Sequence, residues 1–145
     1  MLPLRIGALL FILLSVISVA QMQIAGCKSY EPMVVELSGT LLRKTFAGPP
    51  NYHDIHKGDE SETFWVLKLD FPICVDQDPA DPDLNPAQKK IRTVQLLLNK
   101  EADERARSLS GKRVQTAGTL FGAHTGHHHT PVVLTVTYLD RPRWK

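Results

Sequence analysis

Five segments of the chain are rich in apolar and β-branched residues and are bounded by polar segments, and this pattern predicts five β-strands. The predicted strands are 33–44, 64–70 with an extended piece to 75, 91–98, 112–121 and 131–139. In the second of them, Trp65, Leu67 and Leu69 alternate with more polar neighbours and form the better candidate for a core face. Polar segments rich in Gly, Pro and Asp separate the strands and are typical of exposed loops.

A short helix is predicted between the third and fourth strands, over 100–109. Ala102, Ala106 and Leu109 recur at helical spacing, and Asn99 precedes the segment as an N-cap. The order strand, strand, strand, helix, strand, strand is that of the OB-fold. We therefore predict a mainly β fold, a small five-stranded OB-like barrel with one short helix between strands 3 and 4. Another small β-barrel or a sandwich is the alternative.

The first and fourth strands share a weak internal repeat. Residues 35–41 (VELSGTL) match residues 114–120 (VQTAGTL), and each copy is followed by a His-bearing loop and an apolar strand. The shared glycines, Gly39 and Gly118, predict a bulge or bend at the same place in two similar strands.

The N-terminus has the features of an export signal. One positive charge precedes the apolar run 6–19, and the small residues Ser18 and Ala20 frame a signal peptidase site. We predict a signal peptide over 1–20, with cleavage as late as 26 as an alternative, followed by one domain over 21–145. No later segment approaches the ~18 apolar residues of a membrane span. The protein is thus expected in the periplasm or outside the cell.

The two cysteines, Cys27 and Cys74, support two exclusive hypotheses. An even number of cysteines in an exported chain favours a disulfide between them. Residues 24–27 (IAGC) also resemble a lipobox, which would make Cys27 a lipid anchor. Gln21 and Gln23 separate this box from the apolar run, which is against lipidation.

Composition excludes several functional classes. The chain has 17 Lys plus Arg and 15 Asp plus Glu, and removal of Arg5 with the signal leaves 16 − 15 = +1. Such a nearly neutral chain is not expected to bind nucleic acid through bulk charge. The acidic loop 76–86 fails the EF-hand pattern because Asp81 stands where glycine is needed. No nucleophile motif is present, so an enzyme is not the favoured class.

Six histidines are concentrated in two predicted loops, and they carry the most specific chemical signal. His53 and His56 lie between strands 1 and 2, while four more lie between strands 4 and 5: His124, His127, His128 and His129. In an OB-like barrel these two loops flank the same binding face. Imidazole nitrogens are good ligands for zinc, copper or nickel.

The predicted metal site has an alternating pair at its centre. His127 and His129 point to the same side of an extended chain, and His124, His53 or His56 would complete the coordination. The wider ligand face would include Tyr52, Asp54, His128 and Trp65, although Trp65 also suits the core. Two alternatives are a hydrogen-bonded loop in which the histidines are structural, and a contact surface for a ligand other than a metal.

One motif resembles a known bacterial family. The segment 118–134 (GTLFGAHTGHHHTPVVL) resembles the signature of the domain of unknown function 4431, and 46–52, 57–59 and 63–67 are similar to the same family, as is the pair of Cys27 with Cys74. The resemblance implies a small exported domain and brings no catalytic residues with it.

These observations lead to three functional hypotheses. The first is an exported binding module whose His-rich face takes a transition metal or a small ligand. The second is a protein-interaction module, such as an inhibitor or immunity-type partner of an envelope protein, with a structural His loop. The third, less favoured, is a small zinc hydrolase, which would need three protein ligands and an open position on the metal.

Overall fold

The computed structural model describes residues 26–143 of the 145-residue chain. It has five strands and one α-helix in the predicted order. The elements are β1 (Val34–Ala47), β2 (Ser61–Val75), β3 (Gln88–Leu97), α1 (Lys100–Leu109), β4 (Arg113–Gly122) and β5 (Val132–Asp140). A 3-10 turn (Ile55–Lys57) lies between β1 and β2. The predicted strands are confirmed, and β2 is one strand that begins three residues earlier than predicted, at Ser61, and includes the extended piece to Val75.

The strands close into a barrel in the order β1-β2-β3-β5-β4. All neighbouring strands are antiparallel except β3 and β5, which run parallel over three residue pairs from Gln95 to Leu97. Five strands in this order, with a helix between the third and fourth, form the OB-like arrangement that the sequence predicts.

The core fills the barrel interior, as the alternating pattern requires. In β1, Val35, Leu37 and Leu41 are buried, and in β4 every second residue from Val114 to Gly122 is buried. Helix α1 covers one end of the barrel with Ala106 and Leu109, and the Asn99 side chain accepts a hydrogen bond from the amide of Ala102. The helix and its N-cap are therefore confirmed.

The two glycines of the internal repeat allow neighbouring backbones to approach closely. A Cβ atom on Gly39 would lie 2.2 Å from the carbonyl oxygen of Lys68, and one on Gly118 would lie 2.0 Å from that of Thr135. At Gly39, β1 changes partner, since this residue pairs with both β2 and β4. At Gly118 the ladder between β4 and β5 shifts register. Both bends thus contribute to the closure of the barrel.

The described chain begins with an arm that is fixed to the barrel. Cys27 forms a disulfide with Cys74, Lys28 bridges to Val75, and the Tyr30 hydroxyl donates to the carbonyl of Pro86. The disulfide is as predicted, and it uses the sulfur that lipidation of Cys27 would need. The predicted signal peptide falls within 1–25, outside the described residues. Within 26–143, no helix has the length and apolar run of a membrane span.

Candidate functional site

The His-rich segment between β4 and β5 lies on the outside of the barrel wall. We call residues 123–131 the His loop. Beneath it, Val66, Gln95 and Val133 are aligned in register on β2, β3 and β5, and all three are fully buried. Val66 and Val133 are not part of the interior hydrophobic cluster. The His loop therefore buries a second, smaller apolar layer on the outer face of these strands.

Gln95 fixes the His loop to this face through both ends of its amide. Its Nε2 donates to the carbonyl of His127 at 2.9 Å, and its Oε1 accepts from the amide of His129 at 2.8 Å. The hydroxyl of Thr130 accepts from the backbone amide of Gln95 at 2.8 Å. Because Gln95 is fully buried, these bonds satisfy polar groups that water does not reach.

The carboxylate of Glu62 contacts the rings of both His127 and His129. Oε1 of Glu62 lies 2.6 Å from Nδ1 of His127, and its Oε2 lies 3.2 Å from Nε2 of His129. The side chains of Glu62 and His129 are only 15% and 11% exposed, whereas that of His127 is 54% exposed. We call Glu62, His127 and His129 the Glu–His cluster.

Aromatic contacts orient the buried member of the Glu–His cluster. The ring of Phe46 stacks on His129 with parallel planes and a centroid distance of 4.3 Å. Phe64 lies on another side, with its centroid 5.5 Å from that of His129. Phe46, Glu62 and Phe64 share one face of the β1–β2 ladder, since Phe46 is paired with Glu62 and Phe64 is two residues further along β2.

The other two histidines of the His loop contact each other. The backbone amide of His124 donates to Nδ1 of His128 at 3.2 Å, and Nδ1 of His124 lies 3.0 Å from the carbonyl of Gly122. Both rings pack against Phe121. Burial lowers the pKa of His128, and positive charge on the neighbouring histidines would lower it further. These imidazoles take part in the internal structure of the loop.

The β1–β2 loop (48–60) is organised by a different carboxylate. Asp59 is buried and accepts hydrogen bonds from the backbone amides of Asn51, His53 and Asp54 and from the Asn51 side chain. The backbone bonds from Asp54 and His53 lower the pKa of Asp59 to about 2. Asp59 therefore stays ionised at the centre of this loop over the physiological pH range.

The two loops meet, as the OB-like topology predicts. A Cβ atom on Gly126 would lie 2.7 Å from Cζ of Tyr52, so the glycine allows the His loop to pack closely against the β1–β2 loop. The Tyr52 hydroxyl lies 3.3 Å from Nε2 of His127, on the side of the ring away from Glu62. Gly48 packs against Glu62 in the same way. We call this continuous surface, formed by the β1–β2 loop and the His loop, the joined-loop face.

The predicted site residues divide into two groups. Tyr52, His127 and His129 come together, with His124 and His128 beside them. His53 and His56 are exposed in the β1–β2 loop, and Tyr52 makes the contact with the His loop instead. Asp54 caps the 3-10 turn by accepting from the amide of His56.

Trp65 lies in the core rather than on the joined-loop face. It is 7% exposed, and its indole nitrogen donates to Asp103 at 2.7 Å. Among residues 26–143, no group of three or more His, Cys, Asp or Glu side chains is already arranged to hold a metal ion. The rings of His127 and His129 approach different oxygens of Glu62 rather than a common point.

Sequence reasoning missed the residues that hold the site from within: Glu62, Gln95 and Asp59. Gln95 left a visible signal, because it interrupts the apolar segment VQLLL of β3 and a buried polar residue is informative. Glu62 and Asp59 left none, since a lone carboxylate near a loop is usually solvated. The role of Glu62 depends on contacts across 65 and 67 residues of sequence, whereas Asp59 binds backbone amides only five to eight residues away.

The closed five-stranded sheet, the helix between its third and fourth strands and the joined-loop face define a small OB-like module. The model of the family described as "Domain of unknown function (DUF4431)" matches residues 93–140, from within β3 to the end of β5. The resemblance that the sequence predicts is thus confirmed there, and the match contains the whole His loop. Comparisons with curated proteins and with solved structures found no match.

Proposed function

We propose that this protein is an exported, non-enzymatic binding module, and that its ligand is a divalent transition metal bound by the Glu–His cluster. The observation that carries the proposal is the placement of two imidazole nitrogens against the two oxygens of one half-buried carboxylate. Two imidazoles and a carboxylate form a donor set that suits zinc, and imidazole also suits copper and nickel.

Metal binding in this proposal replaces two hydrogen bonds by coordination bonds. A carboxylate accepts hydrogen bonds, so Nδ1 of His127 and Nε2 of His129 donate to Glu62 in the metal-free protein. For a metal to bind at these nitrogens, each neutral ring would take its other tautomer, with the proton on Nε2 of His127 and on Nδ1 of His129. The rings must turn toward a common point, because metal–nitrogen bonds of about 2.0–2.1 Å require it. Three protein ligands would leave a further coordination position for water or for a group from another molecule.

The surroundings of the cluster support this role. Tyr52 contacts the second ring nitrogen of His127, and such outer contacts orient metal-bound imidazoles. Phe46 fixes the plane of His129, and Gln95 fixes the backbone at both histidines. The donor residues are therefore already ordered, and ligand binding requires little further loss of their conformational entropy.

The test is a metal titration of the mature, untagged protein with its disulfide intact. Calorimetry and elemental analysis should find one equivalent of zinc, copper or nickel, with a dissociation constant below about 1 µM. The double variant His127→Ala/His129→Ala should lose this affinity, and Glu62→Gln should weaken it. The matched control, His53→Ala/His56→Ala, also removes two imidazoles and should bind like the wild type.

Two results would contradict the metal proposal. Equal losses in both double variants would show that any exposed histidine pair on this protein supplies the binding. Wild-type affinity no tighter than tens of micromolar would be typical of adventitious metal on surface imidazoles.

A second candidate function is a protein-interaction module in which the histidines are structural. The specific observation is that ring nitrogens in the His loop are engaged within the protein, by Glu62 and by backbone groups, so the loop presents a pre-shaped surface. The corresponding test is binding of the metal-free protein to a defined envelope protein. Tyr52→Ala and His124→Ala should weaken that binding, whereas Tyr138→Ala, on the β5 side of the barrel, should not.

Export is part of the proposal, and the disulfide supports it because such bonds persist in oxidising compartments. A small zinc hydrolase is the least favoured candidate, although three ligands with an open position would suit one. Turnover that disappears with the metal and in Glu62→Gln would establish it. Metal binding without turnover is the result expected here.

A further inference from the structure

The first residues of β2 have a strand on only one side. The ladder between β1 and β2 continues to the pair Ala47–Ser61, but the ladder between β2 and β3 ends at the pair Trp65–Leu96. Beyond Leu97, the chain leaves β3 to enter α1. Residues 61–64 therefore have an edge toward β3 that no strand of the described chain covers. Uncovered strand edges can pair with another extended chain.

A groove of about 280 Å³ lies along this edge, between Thr63 and Phe64 on one side and the end of β3 on the other. Its two faces differ in chemistry. Since Trp65 is opposite Leu96, the next residues toward the groove, Phe64 and Leu97, share one face of the sheet. Leu97 is 37% exposed, which is unusual for a leucine in a barrel wall and makes this face of the groove apolar.

The other face carries a cation. Arg43 pairs with Trp65 across β1 and β2, and its guanidinium lies 5.2 Å from the centroid of the indole ring. Among residues 26–143, it forms no ion pair with a carboxylate. Asp103 also lines the groove, but its oxygens accept from the indole nitrogen of Trp65 and from Arg107. Hydrogen bonds from Trp65 and Arg107 lower the pKa of Asp103 most, and the charge of Arg43 lowers it further. Two arginines therefore act on this one carboxylate, which leaves net positive charge beside the groove for a carboxylate from outside.

We propose that this edge binds an extended segment of a partner protein by strand addition, and that the segment alternates aliphatic with acidic residues. Every second side chain of an added strand points to the same face. Aliphatic side chains would contact Phe64 and Leu97, and the acidic ones between them would reach Arg43. The edge adjoins the Glu–His cluster, since Glu62 lies within residues 61–64 and Phe64 contacts His129, but strand addition uses the backbone of β2 and does not depend on metal binding.

The experiment uses two synthetic hexapeptides, one alternating valine with aspartate and the other valine with lysine. Each is titrated into the mature, isotope-labelled protein in the presence of a chelator, and binding is followed by NMR and amide hydrogen exchange. The acidic peptide should bind about tenfold more tightly, as expected for a difference of one favourable charge contact. It should also slow exchange of amides within residues 61–64.

Charge reversal gives the sharper comparison. Arg43→Glu should invert the preference, so that the lysine peptide binds better, and Arg43→Gln should bring the two peptides to similar affinities. Arg92→Glu, which changes an exposed cation of β3 outside the groove, should leave the preference unchanged. Thermal melting of each variant separates loss of binding from loss of folding.

Three outcomes would overturn the inference. One is that neither peptide binds at millimolar concentration. Another is that Arg43→Glu leaves the preference for the acidic peptide intact while the variant remains folded. The third is binding that does not slow exchange within residues 61–64, because the peptide would then be held by charge at another part of the surface.

Discussion

The β1–β2 loop and the His loop both carry histidines, both follow a strand of the internal repeat, and both are organised by one carboxylate. They differ in where that carboxylate binds. In the β1–β2 loop, Asp59 accepts from the backbone, and the imidazoles of His53 and His56 remain exposed. In the His loop, Glu62 reaches the imidazoles of His127 and His129 themselves.

This difference distinguishes histidines that share a loop from histidines that share a site. Exposed imidazoles without a positioned partner have many orientations. Metal binding must fix them in one orientation, and the lost side-chain entropy weakens the affinity. His127 and His129 are already directed to one carboxylate. Of the six histidines that the sequence singles out, we therefore expect these two to dominate any specific chemistry.

Among the variants that test this difference between the two loops, Gln95→Leu should destabilise the protein most. The change leaves the carbonyl of His127 and the amide of His129 without their buried partners, which should destabilise the protein by about 3 kcal/mol. Chemical denaturation measures the loss, and the His loop should show faster amide exchange than the β1–β2 loop. Gln115→Leu is the control, since this glutamine of β4 makes only a long, exposed hydrogen bond to Glu36. Equal destabilisation by both variants would contradict the proposed role of Gln95.

The next effect is expected from Asp59→Asn, which should loosen the β1–β2 loop and leave the His loop largely intact. Asparagine has an NH2 group in place of one accepting oxygen, so either the bonds from the His53 and Asp54 amides or those from Asn51 are lost. We expect the melting temperature at neutral pH to fall by several degrees. Exchange measurements should place the change within residues 48–60.

The pH dependence of Asp59 gives a second measurement on the same loop. Its pKa is about 2 in the folded protein, below the ordinary value of 3.8. Because the folded pKa is the lower one, the carboxylate stabilises the protein above pH ~4, and this contribution is lost as the pH falls toward ~2. The wild type should therefore lose more stability than Asp59→Asn over this range. Parallel curves for the two proteins would exclude Asp59 as the source.

The contact between the loops can be tested by Gly126→Ala. The new methyl group would overlap the ring of Tyr52, and overpacking of this kind should cost about 1–2 kcal/mol. The double variant with Tyr52→Ala should recover part of the loss, because the ring that clashes is then absent. Additive losses in the double-mutant cycle would show that the two loops do not restrain each other.

The sequence was sufficient for the fold because the fold depends on local patterns. Apolar and β-branched segments mark β1 to β5, Asn99 caps α1, and Gly39 and Gly118 occur where the barrel bends. The site was only partly predictable. Topology brings the two loops together, but the choice of His127 and His129 depends on Glu62, which lies 65 and 67 residues away in the chain.

The smallest effect should come from His53→Ala/His56→Ala, and it gives the comparison its reference point. Both side chains are exposed, so their removal should change the free energy of unfolding by no more than about 0.5 kcal/mol. His129→Ala removes one half-buried imidazole, its stacking on Phe46 and its bond to Glu62, and should cost about 1–2 kcal/mol. Denaturation of the three proteins side by side measures the contrast. If removal of the two exposed histidines costs as much stability as removal of the half-buried His129, the β1–β2 loop has imidazole contacts of its own, and the distinction between the two loops fails.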